Sequence, residues 1–455
     1  MLTRYLYANA GFRPDREALV FGERRITHGE LLERVERAAE GLRQRGIGSG
    51  DAVALVLPNG PAFVTAFLAV TGIGAIVVPL NQQFKVNELA FCLNACQARE
   101  VIADEQEIER LVEGHPRRPI DPRLADEKLV YQFSSGSTGR PKRLARTHGQ
   151  LWAEAESYTW ISPEDRVFCA IPLFHTYGMG CCLVAAARNG ATLVFLDEHH
   201  PFQLSRRRAL DLLEREQVTV FPGVPFQFRL LADAPGDADL SPLRLCFSAG
   251  TALPRAAFDA FARRFGVAVR QLYGCTEAGT LTVNLDSDPV ATFESVGAPN
   301  GQVRVRVDDG EIVVSSPAMT HGYADDPELN QRVFRDGWFH TGDLGRLDDA
   351  GRLYVTGRKK LLIEVAGHKV DPIEVEDVLE VHPNIREAVV VGVPEGADGE
   401  ESVKAVIVPA NGCQEREVIQ FCQERLANFK VPRIVEFRDE IPRSALGKIL
   451  RKYLV

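Results

Sequence analysis

The segment from Ser134 to Lys142 reads SSGSTGRPK and combines small residues, hydroxyl groups and a cation. Glycine-rich loops with hydroxyls and a lysine bind phosphates through backbone N–H groups and side-chain donors. A P-loop needs four residues between a glycine and a Gly-Lys pair. This segment does not fit, because Gly136 and Gly139 are three apart and Lys142 follows a proline. The residues alone therefore leave two interpretations, a phosphate loop outside the P-loop class or a flexible surface linker.

Five segments with chemical side chains follow one another along the chain. They are YQFSSGSTGRPKRLARTH (131–148), QLYGCTEAG (271–279), GWFHTGDLG (337–345), GRKKLLIEVAGHKVDPIEVE (357–376) and PRSALGKILRKYL (442–454). In this order they resemble the signature motifs of the adenylate-forming enzymes, which include acyl- and aryl-CoA ligases, adenylation domains of peptide synthetases and firefly luciferase. Arg143 departs from the pattern, since the family usually has a glycine there. The resemblance implies an AMP-forming acid–thiol ligase.

The resemblance assigns the catalytic roles to four residues. Lys448 would bridge the substrate carboxylate and the nucleotide during adenylation, and His175 would lie beside the carboxylate. Glu277 and Thr138 would bind Mg²⁺. A carboxylate and a triphosphate repel each other, so an ammonium and a divalent cation suit this reaction. Taken singly, His175 would more often be a packed core residue, and Lys448 a solvated lysine in a basic tail.

The positions that the resemblance assigns to ATP and CoA are small or able to form hydrogen bonds. For the β- and γ-phosphates they are Ser134, Ser135, Gly136, Ser137, Thr138, Gly139 and Lys142; for the remainder of the nucleotide Ser248, Ala249, Gly250, Tyr273, Gly274, Thr276, Asp343 and Arg358; and for the hinge and thiol tunnel Lys360 and Gly367. The alternative for Tyr273 is core packing, and for Asp343 it is a turn residue.

The segment IPLFHTYGMGCC (171–182) matches the part of the family that enters the acyl pocket, and it contains no acidic residue. An α-ammonium group buried there without a counter-charge would be costly. A fatty or aryl acid is therefore favoured over an amino acid. The expected ligands are ATP, Mg²⁺ and CoA, with the phosphopantetheine thiol of an acyl carrier protein as the alternative acceptor. A non-catalytic relative is disfavoured because the loop, Glu277 and Lys448 are all present.

Composition limits the partners and the location. The 455 residues are 45% apolar and 25% charged, with a net charge of −9, which argues against nucleic-acid binding. Nine scattered cysteines lack zinc spacing and indicate reduced, mostly buried thiols. The start of the chain has no signal-peptide layout, so a cytoplasmic location is expected. A homodimer is one candidate for the oligomeric state.

Apolar periodicity predicts the elements that carry these motifs. Residues 28–46 have helical spacing, and the uncharged run at 62–80 is interpreted as a buried helix at 61–71 followed by a strand at 75–78 rather than a membrane span. Strands and helices alternate to about residue 270. We therefore predict an α/β protein with a large N-terminal domain of parallel α/β sheets (1–359), a β-rich subdomain at about 296–356, and a small mobile α+β C-terminal domain (360–455) hinged at Lys360.

Overall fold

The computed structural model describes residues 2–120, 126–134, 142–196, 202–365, 368–395, 400–444 and 449–455. Within them the strands are β1 Glu17–Phe21, β2 Arg24–Thr27, β3 Ala52–Leu55, β4 Ile76–Pro79, β5 Glu100–Ile102, β6 Lys128–Ser134, β7 Lys142–Thr147, β8 Arg166–Phe168, β9 Thr192–Phe195, β10 Val220–Gly223, β11 Leu245–Ser248, β12 Val269–Cys275, β13 Gly279–Val283, β14 Ala298–Pro299, β15 Arg304–Asp308, β16 Glu311–Ser315, β17 Phe334–Arg335, β18 Trp338–Leu347, β19 Leu353–Arg358, β20 Ile363–Val365, β21 His368–Val370, β22 Ile385–Glu395, β23 Glu400–Pro409 and β24 Ile434–Phe437.

The helices are α1 Leu2–Phe12, α2 His28–Gln44, α3 Pro61–Gly72, α4 Val86–Cys96, α5 Glu105–Gly114, α6 His148–Glu156, α7 Thr176–Gly178, α8 Ala185–Asn189, α9 Phe202–Arg215, α10 Pro225–Ala232, α11 Arg255–Phe265, α12 Pro327–Val333, α13 Pro372–Glu380 and α14 Glu415–Gln423. A π-helix at Met179–Val184 joins α7 to α8. Thr27 caps α2 with a reciprocal capping box to Glu30, which fixes the predicted start of this helix.

Two largely parallel sheets form the framework of the chain. One has the order β5-β3-β4-β6-β7 and is parallel except for its last pair. The other has the order β14-β13-β12-β11-β10-β8-β9-β1-β2 and is parallel from β12 to β1. The predicted α/β class is confirmed.

The uncharged run at 62–80 divides as predicted. Every residue of α3 is buried, and the helix packs against α2 and α5. Strand β4 follows and lies between β3 and β6 in the parallel sheet. Burial on all sides explains the missing polar residues. Among the described residues, no helix is long and apolar enough to cross a membrane.

Two compact units divide the chain. The first comprises residues 1–305, 314–339 and 349–353, and the second comprises 306–313, 340–348 and 354–455. In the second unit β22 and β23 form a long antiparallel pair, and β24 lies parallel to β23. The domain boundary at 359/360 and the mobility of the C-terminal domain remain predictions.

A buried ion pair lies in the first unit. Arg146 of β7 and Glu154 of α6 approach to 2.6 Å, with 0% and 2% of their side chains exposed. Glu154 Oε1 also accepts hydrogen bonds from the Tyr158 hydroxyl at 2.7 Å and the Thr280 amide at 3.2 Å. Burial raises the pKa of Tyr158 well above its ordinary value, so the phenol stays a donor. Arg146 in turn donates to the Ala318 carbonyl at 3.2 Å.

Gly279 makes room for this pair. Its φ is +72°, and a Cβ there would lie 2.5 Å from Glu154 Cδ. Any side chain at this position would therefore be strained in its backbone and would strike the buried carboxylate.

Replacing Glu154 with leucine should leave Arg146 as an uncompensated buried cation and lower the unfolding free energy of the first unit by about 3–5 kcal/mol. The double variant Arg146→Met/Glu154→Leu should recover most of this loss. Urea unfolding followed by tryptophan fluorescence measures it, because all three tryptophans lie in this unit. A double variant as unstable as the single one would contradict the interpretation.

Candidate active site

The glycine-rich loop is closed by an antiparallel strand pair. Strands β6 and β7 pair from Lys128 and Thr147 outward to Ser134 and Lys142, which lie opposite each other. The ladder therefore holds both ends of the loop together. The predicted phosphate-binding residues between them, Ser135, Gly136, Ser137, Thr138 and Gly139, lie outside the described residues.

Lys142, at the end of the loop, has two neighbours on its charged group. Its Nζ is 3.7 Å from Asp326 Oδ2 and 5.2 Å from the centre of the Tyr323 ring. Asp326 also caps α12 by accepting a hydrogen bond from the Leu329 amide at 3.0 Å. The lysine thus has a carboxylate partner in this structure. A phosphate anion would compete with this carboxylate for the lysine.

The predicted magnesium ligand Glu277 lies on the turn between β12 and β13. Gly274 pairs with Thr280 across this turn, and a Cβ on Gly274 would lie 2.6 Å from the Gly279 oxygen, so the close approach requires glycine. Glu277 Oε1 accepts a hydrogen bond from the Tyr323 hydroxyl at 2.7 Å, and the Glu277 carbonyl accepts one from the Thr320 amide at 2.7 Å.

The donor set at Glu277 fits a hard cation. A carboxylate oxygen is a ligand that Mg²⁺ prefers, and Mg²⁺ usually keeps waters and phosphate oxygens in its shell. Among the described residues, no cluster of three or more His, Cys, Asp and Glu side chains forms a metal cage. A magnesium ion here would thus depend on one carboxylate together with nucleotide oxygens.

The predicted adenine-binding residues lie at the carboxyl ends of parallel strands, where ligands bind in open α/β sheets. Ser248 ends β11, between Gly223 of β10 and Gln271 of β12. Its Oγ is buried and has no hydrogen-bond partner among the described residues, so it is available to a ligand. Ala249 and Gly250 follow this strand end.

Tyr273 lies two residues beyond Gln271 on the same strand, and Thr276 follows in the turn that carries Glu277. Tyr273 is partly buried and pairs with Thr282 of β13. Together with Ser248, Ala249 and Gly250, these residues place the first-unit positions predicted to bind the nucleotide outside its β- and γ-phosphates near the ends of β11 and β12.

His175 begins the short helix α7 and uses a ring nitrogen as a cap. Its Nδ1 accepts a hydrogen bond from the Tyr177 amide at 3.2 Å. The neutral ring therefore carries its proton on Nε2, where an N–H is a donor suited to a carboxylate. The next residue, Thr176, accepts a hydrogen bond from Gln132 of β6 at 2.9 Å, which joins this segment to the strand leading into the loop.

In the second unit, the predicted ribose ligands contact each other. Arg358 Nε lies 3.1 Å from Asp343 Oδ1. Beside them, Glu311 accepts hydrogen bonds from Lys359 at 2.8 Å and from the Gly342 amide at 3.0 Å. Burial opposes ionisation of Glu311, but these donors and His340 outweigh it and lower its pKa.

Three further predicted positions lie in the second unit. The backbone of Lys360 lies in a 3₁₀ turn at Lys359–Leu361. Gly367 and Lys448 lie outside the described residues. The chain on either side of Lys448 is anchored, since the Leu450 amide donates to the Pro442 carbonyl at 2.9 Å and Arg451 pairs with Glu376 at 2.6 Å.

Comparison with known proteins identifies the family of the chain. Residues 6–324 match the family model described as AMP-binding enzyme, and residues 374–448 match the AMP-binding enzyme C-terminal domain. The chain belongs to the AMP-binding enzyme family.

Three relatives illustrate this membership. Feruloyl-CoA synthase from Amycolatopsis sp is 34% identical over 477 residues, covering 97% of this chain and 96% of the relative. The long-chain-fatty-acid–CoA ligase of Bacillus subtilis is 28% identical, covering 97% of this chain and 92% of the relative. The solved structure of o-succinylbenzoate CoA synthetase from Bacillus subtilis with ATP and magnesium ion has a TM-score of 0.87 at 28% identity, covering 99% of this chain and 98% of that one. The predicted class, an AMP-forming acid–thiol ligase, is confirmed.

In this AMP-binding enzyme, two residues that the motifs did not reveal contact predicted site residues: Tyr323 contacts Glu277, and Asp326 contacts Lys142. Tyr323 and Asp326 lie in a stretch, HGYADDPE, that carries no obvious chemical pattern. Arg146 could have been noticed, because alternation along β7 puts it on the same buried face as Leu144.

The departure at Arg143 is accommodated locally. Its guanidinium lies 5.2 Å from the centre of the Tyr131 ring, and Nη2 is 3.1 Å from Asp325 Oδ1. The Arg143 side chain thus contacts a residue of the neighbouring strand β6 and the residue that precedes the α12 cap.

Replacing Asp326 with asparagine should lower the KM for ATP by about twofold to fivefold, because a partly exposed ion pair of this kind is worth up to about 1 kcal/mol. Asparagine keeps the helix cap but removes the charge that competes with phosphate for Lys142. Initial rates of pyrophosphate release at varied ATP measure the effect. Asp325→Asn is the matched control and should leave the KM unchanged; an unchanged or higher KM in Asp326→Asn would contradict the competition.

Proposed function

We propose that this enzyme activates a fatty or aryl carboxylic acid with ATP to an acyl-AMP and then transfers the acyl group to the thiol of CoA. The observation that carries the proposal is the approach of Lys142, at the end of the glycine-rich loop, to Tyr323, whose hydroxyl binds Glu277. A loop cation and a carboxylate suited to Mg²⁺ thereby both contact Tyr323, and Glu277 follows the strand that carries Tyr273.

In the first half-reaction, a carboxylate oxygen of the substrate attacks the α-phosphorus, and the bond from that phosphorus to pyrophosphate breaks. Charge neutralisation and in-line positioning account for most catalysis of this type. The loop with Lys142 would hold the β- and γ-phosphates, and Nε2–H of His175 would donate to the substrate carboxylate. Mg²⁺, held through Glu277 and Thr138, would neutralise charge on the phosphates.

Asp343 would accept hydrogen bonds from the ribose hydroxyls, and its contact with Arg358 supports a fixed orientation of the carboxylate. Tyr273 would stack on adenine, and Ser248 offers a buried hydroxyl near that end of the sheet. Lys448 would bridge the two anions, which is the role that the family resemblance gives it.

In the second half-reaction, the sulfur of the acceptor attacks the acyl carbon, the bond from carbon to the AMP oxygen breaks, and the thiol proton leaves to solvent. Rotation about Lys360 would withdraw Lys448 and bring Gly367 to the thiol tunnel. Free CoA is the proposed acceptor, in line with the names of the relatives. A carrier-protein thiol is the alternative, and a homodimer is a proposal that awaits a measurement of mass in solution.

The charge near the acyl pocket supports an acid without an α-ammonium group. The segment 171–182 has no acidic residue. A buried carboxylate lies beside it, since a Cβ on Gly180 would be 2.7 Å from Glu154 Oε1. Glu154 is already neutralised by Arg146. An ammonium would therefore enter without a counter-charge.

The enzyme should release pyrophosphate with 3-phenylpropanoic acid or octanoic acid, and much more slowly with phenylalanine or 2-aminooctanoic acid, which differ only by the amino group. Thioester formation with free CoA and with a phosphopantetheinylated carrier protein should be measured in parallel. Faster turnover of an amino acid than of its deaminated partner would refute the proposed substrate class.

The variant Lys448→Ala should lose acyl-AMP formation by about 10²–10³-fold, the usual effect of removing one charge-stabilising group. It should keep thioester formation from supplied acyl-AMP, because this lysine is assigned only to the first half-reaction. Lys452→Ala, in the same basic tail, is the control and should behave as the parent enzyme. An equal loss in both half-reactions would remove the role given to Lys448.

A further inference from the structure

The hydroxyl of Tyr323 binds the side-chain carboxylate of Glu277, whereas other contacts hold the backbone of Glu277. The turn at Glu277 is already fixed by the hydrogen bond from the Thr320 amide to the Glu277 carbonyl and by the β12–β13 ladder. The phenol instead contacts Oε1 of the side chain at 2.7 Å. What this contact determines is the orientation of the carboxylate.

The position of Tyr323 is itself strongly constrained. Its amide donates to Asn330 Oδ1 at 2.8 Å, and Asn330 Nδ2 donates back to the Tyr323 carbonyl at 2.7 Å. Tyr323 also pairs with Leu144 of β7 as an isolated bridge, and Phe334 packs edge-on against its ring. The phenol oxygen is therefore held at a fixed place relative to β7, the strand that leaves the loop.

The face of the same ring contacts the cation at the end of the glycine-rich loop. Lys142 Nζ lies over it, 5.2 Å from the ring centre, and an ammonium there is attracted by the ring's quadrupole. Tyr323 thus contacts the loop cation with its ring and Glu277 with its hydroxyl.

We infer that Tyr323 is a positioning residue for adenylation: its hydroxyl occupies Oε1 of Glu277 and so directs Oε2 toward a magnesium ion on the nucleotide. This inference rests on the proposed function, since it concerns the same site. A carboxylate fixed through one oxygen loses less rotational freedom when the other binds a cation, so the fixed form should bind Mg²⁺·ATP more tightly.

Titration calorimetry of the full chain with ATP tests this, once with Mg²⁺ and once with EDTA, in the absence of an acid. Tyr323→Phe keeps the ring and removes the hydroxyl. It should reduce the gain in ATP affinity that Mg²⁺ gives by about tenfold, and leave ATP binding in EDTA close to that of the parent protein. Tyr354→Phe, which removes another phenol that donates to a carboxylate (Asp348, 3.2 Å), is the matched control and should change neither value.

A double-mutant cycle separates positioning from a general structural role. In a Glu277→Gln background, Tyr323→Phe should have almost no further effect on the Mg²⁺-dependent gain, because the hydroxyl acts through the carboxylate. Equal effects in both backgrounds would overturn the inference, as would a loss of cooperative thermal unfolding in Tyr323→Phe. If the parent protein binds Mg²⁺·ATP and releases pyrophosphate, and Tyr323→Phe shows the same Mg²⁺-dependent gain in ATP affinity, only the inference is refuted. If the parent protein neither binds Mg²⁺·ATP nor releases pyrophosphate, the proposed function is refuted.

Discussion

The buried ion pair between Arg146 and Glu154 is the interaction on which the arrangement of the first unit depends. Neither charge reaches water, so each must be matched within the protein. This requirement ties β7, α6 and the start of β13 to one another, because Glu154 also binds Tyr158 and the Thr280 amide. It also dictates glycine at position 279, where a side chain would strike the carboxylate.

The chemical groups are arranged around this fixed centre. The segment from Thr320 to Tyr323 lies between β7 and the Glu277 turn and bonds to both, through the Thr320 hydroxyl on the Ala145 carbonyl and the Thr320 amide on the Glu277 carbonyl. A displacement of β7 would therefore move Lys142, Tyr323 and Glu277 together. The second unit has its own cluster, in which Glu311 orders the turn next to Asp343.

Sequence reasoning succeeded where structure is determined locally. The buried α3 followed by β4 was predicted from the uncharged apolar run at 62–80. The family motifs supplied the predicted site residues. Pairings between distant segments were not accessible: Arg146 with Ala318, Arg143 with Asp325 and Tyr323 with Glu277 depend on how the chain folds back, and local spacing carries no information about them.

The central claim is that a substrate carboxylate attacks the α-phosphorus of ATP. It is tested most directly by supplying a carboxylic acid with both carboxylate oxygens labelled with ¹⁸O, together with ATP, Mg²⁺ and CoA, and by measuring the mass of the nucleotide product. The mechanism predicts AMP that carries one ¹⁸O and an acyl-CoA that retains the other, with unlabelled pyrophosphate. Unlabelled AMP, or ADP with labelled phosphate, would contradict it.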